Sequence, residues 1–342
     1  MTTVPSKPVP AQFVAVDVSS DQAQKEFDTA IRELKSLGWT VGGKDGAIKL
    51  IEADLFEPQM SDQPSIVVCA SRFQVDRFDV VKPQAHDLLE KLGCLDLEAK
   101  LANSVISDLA VDKVLIGFNW TMVRAGEFCG IARSPSRDTE GARSIRPEHG
   151  FAGQKLRDTA SYLCSVDPLS RSVGLAAINA YWNRQQPPDE TDGLIHSGGG
   201  LSGIPAPGDG VVIVGGFRGA QKRLPKSRIV ERQPKPGDIS AEDAPKAFRD
   251  AKVLAITAQT LMNGSLEPIL RASSNVPNRM LVGPSCPACP VILDYGLDEV
   301  FGAVIIDPDA AEQFIVESGT MIMLDHIARS RCLRRSPVME AA

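Results

Sequence analysis

Two cysteine thiols stand three positions apart in the stretch LVGPSCPACPVILDYGLD, at Cys286 and Cys289. Thiolates at this spacing can both bind one soft metal ion, and dithiol redox sites use the same spacing. Both cysteines can also be small buried residues of a hydrophobic core. A closed four-cysteine zinc site would need distant cysteines such as Cys129 or Cys164, or the same pair from a second subunit of a homo-oligomer. We favour the first interpretation, in which Cys286 and Cys289 bind a transition or soft metal ion.

Glycines and one acidic residue form a second candidate site. The apolar residues 210–214 predict a strand that ends in the sequence GGFRG, and the next predicted strand ends at Glu231. Glycines let a ligand approach the backbone, and an acidic residue accepts hydrogen bonds from ribose hydroxyls, as in dinucleotide or adenosyl-ligand sites. The sequence GGFRG departs from GxGxxG, and the acidic residue comes earlier than the usual interval of about twenty residues. The residues predicted to bind a nucleotide-like ligand are Gly215, Gly216, Gly219, Glu231, Asn263 and Asp307.

Two carboxylates, Asp294 and Asp307, follow neighbouring predicted strands. Carboxylates that bind hard metals or act as acids and bases are often found there. Asp307 is equally well explained as the N-cap of a helix, because Pro308 is suited to the first helical turn.

The elements around these residues alternate between strand and helix. Short apolar runs predict five strands, at residues 210–214, 228–230, 252–257, 280–282 and 301–306. Strands separated by helices predict an α/β fold with a right-handed, doubly wound parallel sheet. Such sheets bind ligands beyond the carboxyl ends of their strands, where both candidate sites fall.

The chain divides by composition into four parts. Residues 1–80 predict a small α+β module, and residues 81–185 predict an α+β domain. Residues 186–209 are rich in glycine and proline and predict an irregular linker. Residues 210–330 form the α/β domain.

The α+β domain has three predictions of its own. Residues 83–101 predict an amphipathic helix, and residues 114–123 and 128–132 predict a hairpin whose apolar pattern is interrupted at Asn119 and Trp120. Two further helices are predicted to follow.

Two basic segments lack apolar periodicity. The segment 134–150 carries Arg137, Arg143 and Arg146 before His149, and an arginine cluster can bind phosphate or carboxylate. A solvated loop explains it equally simply, and a lone histidine is weak evidence for a metal ligand. The basic residues 329–335 predict a frayed end.

Composition excludes several functional classes. At 342 residues the chain predicts two or three domains, and its net charge of -6 gives no general attraction to nucleic acid or anionic lipid. No apolar run approaches the roughly 18 residues of a membrane span, and no apolar segment of a signal peptide is present. Seven mostly scattered cysteines favour reduced thiols. We therefore expect a cytoplasmic protein without nucleic-acid or membrane partners.

Five segments between residues 114 and 320 resemble one protein family. They are VLIGFNWTMV, DPLSRSVGLAAINAYWN, IVERQPKPGD, TAQTLMNGSLEPIL and GPSCPACPVILDYGLDEVFGAVIIDPDA. In these segments, and in their order, the chain resembles the putative heavy-metal chelation proteins of bacteria and archaea. The resemblance implies an enolase N-terminal-like domain, then a Rossmann-like domain, with a ligand cleft between them. It also implies binding of a metal or a metal complex.

This chain departs from the family in two places. Family members usually carry small residues such as serine or threonine where Cys286 and Cys289 stand, so no family role carries over to these thiols. Residues 1–80 look like an addition to the family pattern, and an accessory protein that docks through them is a third functional hypothesis. The preferred hypothesis is metal binding in the interdomain cleft. The alternative is an enzyme that acts on a small anionic or nucleotide-like molecule.

Overall fold

The computed structural model describes part of the chain, and the fold is given for that part alone. The described residues are 12–17, 41–42, 66–71, 94–95, 97–135, 150–165, 168–217 and 219–335. The arginine-rich segment, with Arg137, Arg143, Arg146 and His149, lies outside them.

The strands and helices of these residues follow in chain order. The strands are β1 (Gln12–Asp17), β2 (Val41–Gly42), β3 (Ile66–Ser71), β4 (Cys94–Leu95), β5 (Lys113–Ile116), β6 (Trp120–Ala125), β7 (Phe128–Arg133), β8 (Ile195–His196), β9 (Val211–Val214), β10 (Arg228–Glu231), β11 (Ile239–Ser240), β12 (Val253–Thr257), β13 (Asn278–Val282), β14 (Glu299–Ile305) and β15 (Ala328–Arg334). The α-helices are α1 (Leu97–Asn103), α2 (Leu156–Ala160), α3 (Pro168–Trp182), α4 (Ala220–Arg223), α5 (Ala244–Phe248), α6 (Gln259–Met262), α7 (Leu266–Ala272) and α8 (Pro308–Val316).

An eight-stranded sheet, rich in parallel pairs, organises the second half of the chain. Its strand order is β11-β10-β9-β12-β13-β14-β15-β8. The six strands from β9 to β14 pair in parallel, and their order within the sheet, counted along the chain, is 3-2-1-4-5-6. Doubly wound dinucleotide-binding sheets have this order. The four residues of β9 are all buried, as expected for a central parallel strand covered on both faces. The predicted mixed α/β fold with a parallel sheet is therefore confirmed.

A separate three-stranded antiparallel sheet, β5-β6-β7, packs against α3. The predicted single strand at 114–123 is wrong, because a turn at Gly117 divides it into β5 and β6, with the Gly117 N–H donating to the Trp120 carbonyl at 2.9 Å. The polar interruption at Asn119 is that turn, and its amide donates to the Ser318 carbonyl. Strand β7 lies against α3 so closely that a side chain at Gly130 would collide with the backbone at Ala180. The names enolase N-terminal-like and Rossmann-like remain predictions for these two sheets.

A buried ion pair links the helices α1 and α3. Arg171 of α3 donates to Glu98 of α1 at 2.9 Å, and the side chains are 3% and 9% exposed. Arg171 also donates to the Leu261 and Met262 carbonyls at the end of α6. Glu267 of α7 accepts from the Leu97 N–H at 2.9 Å. The network therefore joins α1 and α3 to helices of the α/β part.

Three expectations fail where pairing partners are distant in sequence. Residues 329–335 are not frayed, because Ala328–Arg334 forms β15, antiparallel to β14. Residues 186–209 include β8, which pairs with β15 at the edge of the main sheet. The predicted helix at 83–101 is wrong at Cys94–Leu95, which forms β4 and pairs with β1 in a four-stranded sheet of order β2-β3-β1-β4.

The described part of the chain contains no helix with the length and apolar character needed to cross a membrane.

Candidate ligand site at the carboxyl edge of the parallel sheet

The loop at residues 283–290, which follows β13, carries both candidate metal ligands. Hydrogen bonds hold it against its neighbours. Asn183, just after α3 and 1% exposed, bonds it at two points. The Asn183 amide nitrogen donates to the Cys286 carbonyl at 2.8 Å and to the Ala303 carbonyl at 3.1 Å. Its amide oxygen accepts from the Ala288 N–H at 2.8 Å. One side chain therefore fastens the loop to α3 and to β14.

Ser285 extends this attachment to the small sheet. Its carbonyl accepts from the Asn179 amide at 3.0 Å, and Asn179 also donates to the Ile131 carbonyl at 2.8 Å. The Ser285 hydroxyl accepts from the Arg133 backbone N–H at 2.9 Å. Gly302 of β14 lies against the Cys286 carbonyl, where a side chain would collide. The loop is therefore held between α3, β7 and β14.

The thiols of this loop are poorly suited to bind a metal in this conformation. Cys286 and Cys289 are both 0% exposed and belong to the main hydrophobic core. Burial raises the pKa of the Cys286 thiol well above its ordinary value. Burial also raises the pKa of Cys289 to about 11, although a contact with the Ser104 hydroxyl at 3.5 Å acts in the opposite direction. Metal ligation requires the thiolate, and burial disfavours that charged form at both positions.

Within the described part of the chain, the two cysteines have no third ligand that could complete a metal centre. Among the described residues, no three side chains of His, Cys, Asp or Glu come together in a geometry that could hold a metal ion. Cys129 lies buried in a different apolar cluster, and Cys164 packs half-buried against the main core. Ligation by Cys286 and Cys289 therefore stays a prediction, and this arrangement of the loop does not support it.

The glycine turn after β9, described at residues 215–217 and 219, is open by comparison at Gly216 and Gly219. Gly215 has a φ of 91°, and a side chain there would collide with Thr257 of the neighbouring strand β12. Gly216 is exposed, and the atom nearest to a Cβ built there would be Oε1 of Glu231, at 2.9 Å. Gly219 has a φ of 80° and precedes α4. The structure thus brings Gly216 and Glu231 together, as their positions after adjacent parallel strands predict.

Glu231 is a half-buried carboxylate without a cation partner among the described residues. Its pKa is raised, first by burial and next by the nearby Asp238 carboxylate. The Arg232 backbone N–H and the charge of Lys235 lower the pKa, but not enough to reverse the shift. A partly desolvated carboxylate beside bare backbone is suited to accept hydrogen bonds from ligand hydroxyls.

Asn263, Asp307 and Asp294 have local roles in this structure. The Asn263 side-chain oxygen accepts from the backbone N–H and the hydroxyl of Ser265, at 3.1 and 2.6 Å, just before α7. Asp307 is exposed and caps α8 by accepting from the Ala310 N–H at 2.9 Å. Asp294 pairs with Arg335 at 2.8 Å on the surface. No hydrogen bond or ion pair within the described ranges joins the three to Glu231, so their part in a ligand site stays a prediction.

One further polar group at this edge has no counterpart in the sequence-based prediction. Arg133, the last residue of β7, places its guanidinium over the Trp120 ring, with Cζ 5.3 Å from the ring centroid. Burial lowers the pKa of this guanidinium, which shows that its charge is partly desolvated. The only sequence signal was an arginine that ends an apolar strand, which is too common a pattern to indicate a site.

Comparisons with known proteins agree with this fold. The sequence matches two protein families, DUF4213 over residues 99–182 and DUF364 over residues 205–333, both described as putative heavy-metal chelation. No curated protein matches the chain.

Two solved structures of the DUF364 family, both of proteins of unknown function, resemble this one. The protein from Desulfitobacterium hafniense DCB-2 has 24% sequence identity and a TM-score of 0.61, over 70% of this chain and 98% of its own. The protein from Pyrococcus horikoshii has 16% identity and a TM-score of 0.57, with the same coverage. At these identities the likeness shows the fold alone. The two family matches together with these neighbours show that the chain belongs to the putative heavy-metal chelation family.

Proposed function

We propose that this protein binds a small organic ligand that carries hydroxyl groups, in the space bordered by the glycine turn and Glu231. The observation that carries the proposal is the position of Glu231 Oε1 beside Gly216, 2.9 Å from where a Cβ would stand. Within the described residues no cation pairs with this carboxylate, and it lies beside exposed backbone in a sheet whose strand order is 3-2-1-4-5-6. In sheets of this order the ligand lies against the turn after the first strand, and the acidic residue after the second strand accepts its hydroxyls.

A nucleotide-like molecule is the ligand class that this arrangement favours. Vicinal ribose hydroxyls can both donate to one carboxylate, and backbone without side chains allows a flat or charged group to approach closely. The proposal concerns binding. It assigns no reaction.

The family description fits this proposal if the metal arrives already chelated. An oxygen-rich organic chelator supplies its own donor atoms and needs only hydroxyl and anion contacts from the protein. A site without three ligating side chains can therefore still bind a metal in complexed form.

A thermal-shift experiment with named probes tests the proposal. Adenosine, ADP, NAD and an iron–catecholate complex are added to the full chain, because a ligand that binds the native state raises the melting temperature. We expect at least one of these hydroxyl-bearing probes to stabilise the protein, and Glu231→Gln and Gly216→Val to weaken that effect. Glu127→Gln, at an exposed glutamate in the β6–β7 turn, is the matched control.

Two results would count against hydroxyl binding at Glu231. The first is no stabilisation by any of the four probes. The second is equal stabilisation of wild type and Glu231→Gln by the probe that binds.

Direct metal ligation by Cys286 and Cys289 is the second candidate, favoured by the family description and by their spacing. It requires the loop at 283–290 to open, because both thiols are fully buried. Elemental analysis of protein purified without an affinity tag measures the bound metal. Loss of stoichiometric metal in the double serine variant, with retention in Cys129→Ser, would support ligation by this pair. Unchanged metal content in the double variant would exclude it.

A further inference from the structure

Arg133 is half-buried, and no anion pairs with its guanidinium among the described residues. It forms no ion pair and donates no hydrogen bond within the described part of the chain, and its one charge-related contact is the Trp120 ring. Two other arginines that lose contact with solvent have partners. Arg171, which is fully buried, has Glu98 at 2.9 Å. Arg331, half-buried like Arg133, donates to the Arg184 and Gln185 carbonyls at 2.8 and 3.0 Å.

This isolation has an energetic consequence. Burial lowers the pKa of Arg133, so part of its hydration is lost without a protein group to replace it. A cation–π contact replaces that lost hydration less fully than charge-assisted hydrogen bonds would. An unpaired cation in such a position is therefore costly, and an external anion would relieve that cost.

The backbone of Arg133 is fixed at the ligand edge of the main sheet. Its N–H donates to the Ser285 hydroxyl at 2.9 Å, and its carbonyl accepts from Ser172 at 3.1 Å. Ser285 belongs to the loop after β13, so Arg133 joins the small sheet to the carboxyl ends of the parallel strands. Trp120, directly opposite on β6, restricts where the guanidinium can go.

We propose that Arg133, supported by Trp120, binds an oxyanion of a small-molecule ligand, either a carboxylate or a phosphate. The planar guanidinium presents paired donors that match both groups. The inference rests on the proposed function, since the oxyanion would belong to the ligand whose hydroxyls meet Glu231. Strands β10 and β13 are three strand spacings apart in the sheet, about 14 Å, so one extended ligand is needed to reach both.

The test uses inorganic phosphate and citrate as separate probes in calorimetric titrations of the full chain. Arg133→Met is expected to weaken binding of the preferred probe by roughly tenfold or more, since it removes charge-assisted hydrogen bonds. Arg133→Lys keeps the charge but loses the planar pair of donors. Its affinity for the probe should therefore lie between the affinities of wild type and Arg133→Met. Stronger binding of phosphate or of citrate identifies which oxyanion the site takes.

Arg184→Met is the matched control. Its guanidinium also stacks on aromatic rings, 4.8 Å from Phe128 and 5.0 Å from Tyr181, but it has the Gln186 carbonyl as an acceptor. We expect Arg184→Met to bind the probes as wild type does. Without a ligand, Arg133→Met should melt no lower than wild type, because a residue kept for binding is not needed for folding.

Three outcomes would overturn the inference: no binding of either probe to wild type, equal affinity in Arg133→Met, or an equal loss in Arg184→Met. The Glu231→Gln variant separates this inference from the proposed function. It should lose adenosine binding and keep phosphate or citrate binding, whereas Arg133→Met should do the reverse.

Discussion

Two loops at the same edge of one sheet differ in almost every physical property. The loop at 283–290 follows β13, and the glycine turn follows β9, so both leave the carboxyl ends of parallel strands. The first is buried, and Asn179 and Asn183 bond it to its neighbours. The second is exposed at Gly216 and lies beside the Glu231 carboxylate, with which no cation of the described ranges pairs.

The difference shows that position after a parallel strand does not by itself make a ligand site. Helix α3 and the small sheet pack over the β13 and β14 side of the edge, and the β9 and β10 side carries the exposed glycines. The spacing of the two cysteines suggested a metal site. Both cysteines, however, lie on the β13 and β14 side, which α3 and the small sheet cover. Four predictions test this difference between the two loops.

The largest expected effect is on the closed loop. Asn183→Ala removes the partners of the Cys286 carbonyl, the Ala288 N–H and the Ala303 carbonyl, all of them buried. Each buried polar group left unpaired costs about 1–3 kcal/mol, so we expect the free energy of unfolding to fall by about 3–5 kcal/mol. Denaturant titration measures it. Asn278→Ala, at an exposed amide, is the control, and a similar loss there would show that Asn183 is not a special attachment.

A pair of glycine substitutions compares the two halves directly. Gly302→Ala forces a side chain against the Cys286 carbonyl, a backbone atom that cannot move away alone, and should cost about 1–3 kcal/mol or more. Gly216→Ala meets the flexible end of Glu231 and should change the unfolding free energy little while it weakens ligand binding. Equal destabilisation by the two substitutions would contradict the contrast.

Glu231→Gln should make the protein slightly more stable at neutral pH. The native pKa of Glu231 is raised by burial and by Asp238, so its ionised form is disfavoured in the folded state. The protonated form of Glu231 contributes its full stability below the pKa of the unfolded state. That contribution is lost as the pH rises through the native pKa. The melting temperature of Glu231→Gln should therefore exceed that of wild type at pH 7 and match it below about pH 4. A lower melting temperature at pH 7 would mean that the carboxylate serves the fold.

The smallest expected effect is that the two loop cysteines fail to react with an alkylating reagent. In native protein at pH 8, iodoacetamide should leave Cys286 and Cys289 unmodified, since both are buried and the pKa of Cys289 is raised to about 11. Peptide mass spectrometry compares them with the half-buried Cys164. Labelling of either loop cysteine at the rate of Cys164 would show that the loop opens, and direct metal ligation would gain support.

The sequence predicts elements well where the signal is local. Four buried apolar residues predict β9, and the Asp307–Pro308 pair predicts the start of α8, where Asp307 caps the helix as one interpretation held. It fails where a partner far along the chain decides the outcome. Strand β15 has the sequence ARSRCLR, whose charges suggest a loose end, but pairing with β14 and the partly buried ion pair of Arg334 with Glu299 make it a strand.

The same distinction applies to the candidate site. Gly216 and Glu231 follow adjacent strands, so the rules for parallel sheets were enough to place them together. Arg133 meets Ser285 across 152 positions of sequence, and no local pattern predicts that contact. Both cysteines are buried in a core assembled from distant parts of the chain, and the sequence therefore left the metal and the structural interpretations open.

Because β15 lies between β14 and β8, the main sheet cannot be completed until β15 has been translated. Strand β8 is made before any of its parallel strands, but it reaches the sheet only through β15, which is the last of the eight to be translated. Until then β14 presents an unpaired edge, and such edges invite pairing with other chains. The nascent protein is therefore expected to depend on chaperones most strongly just before residues 328–334 leave the ribosome.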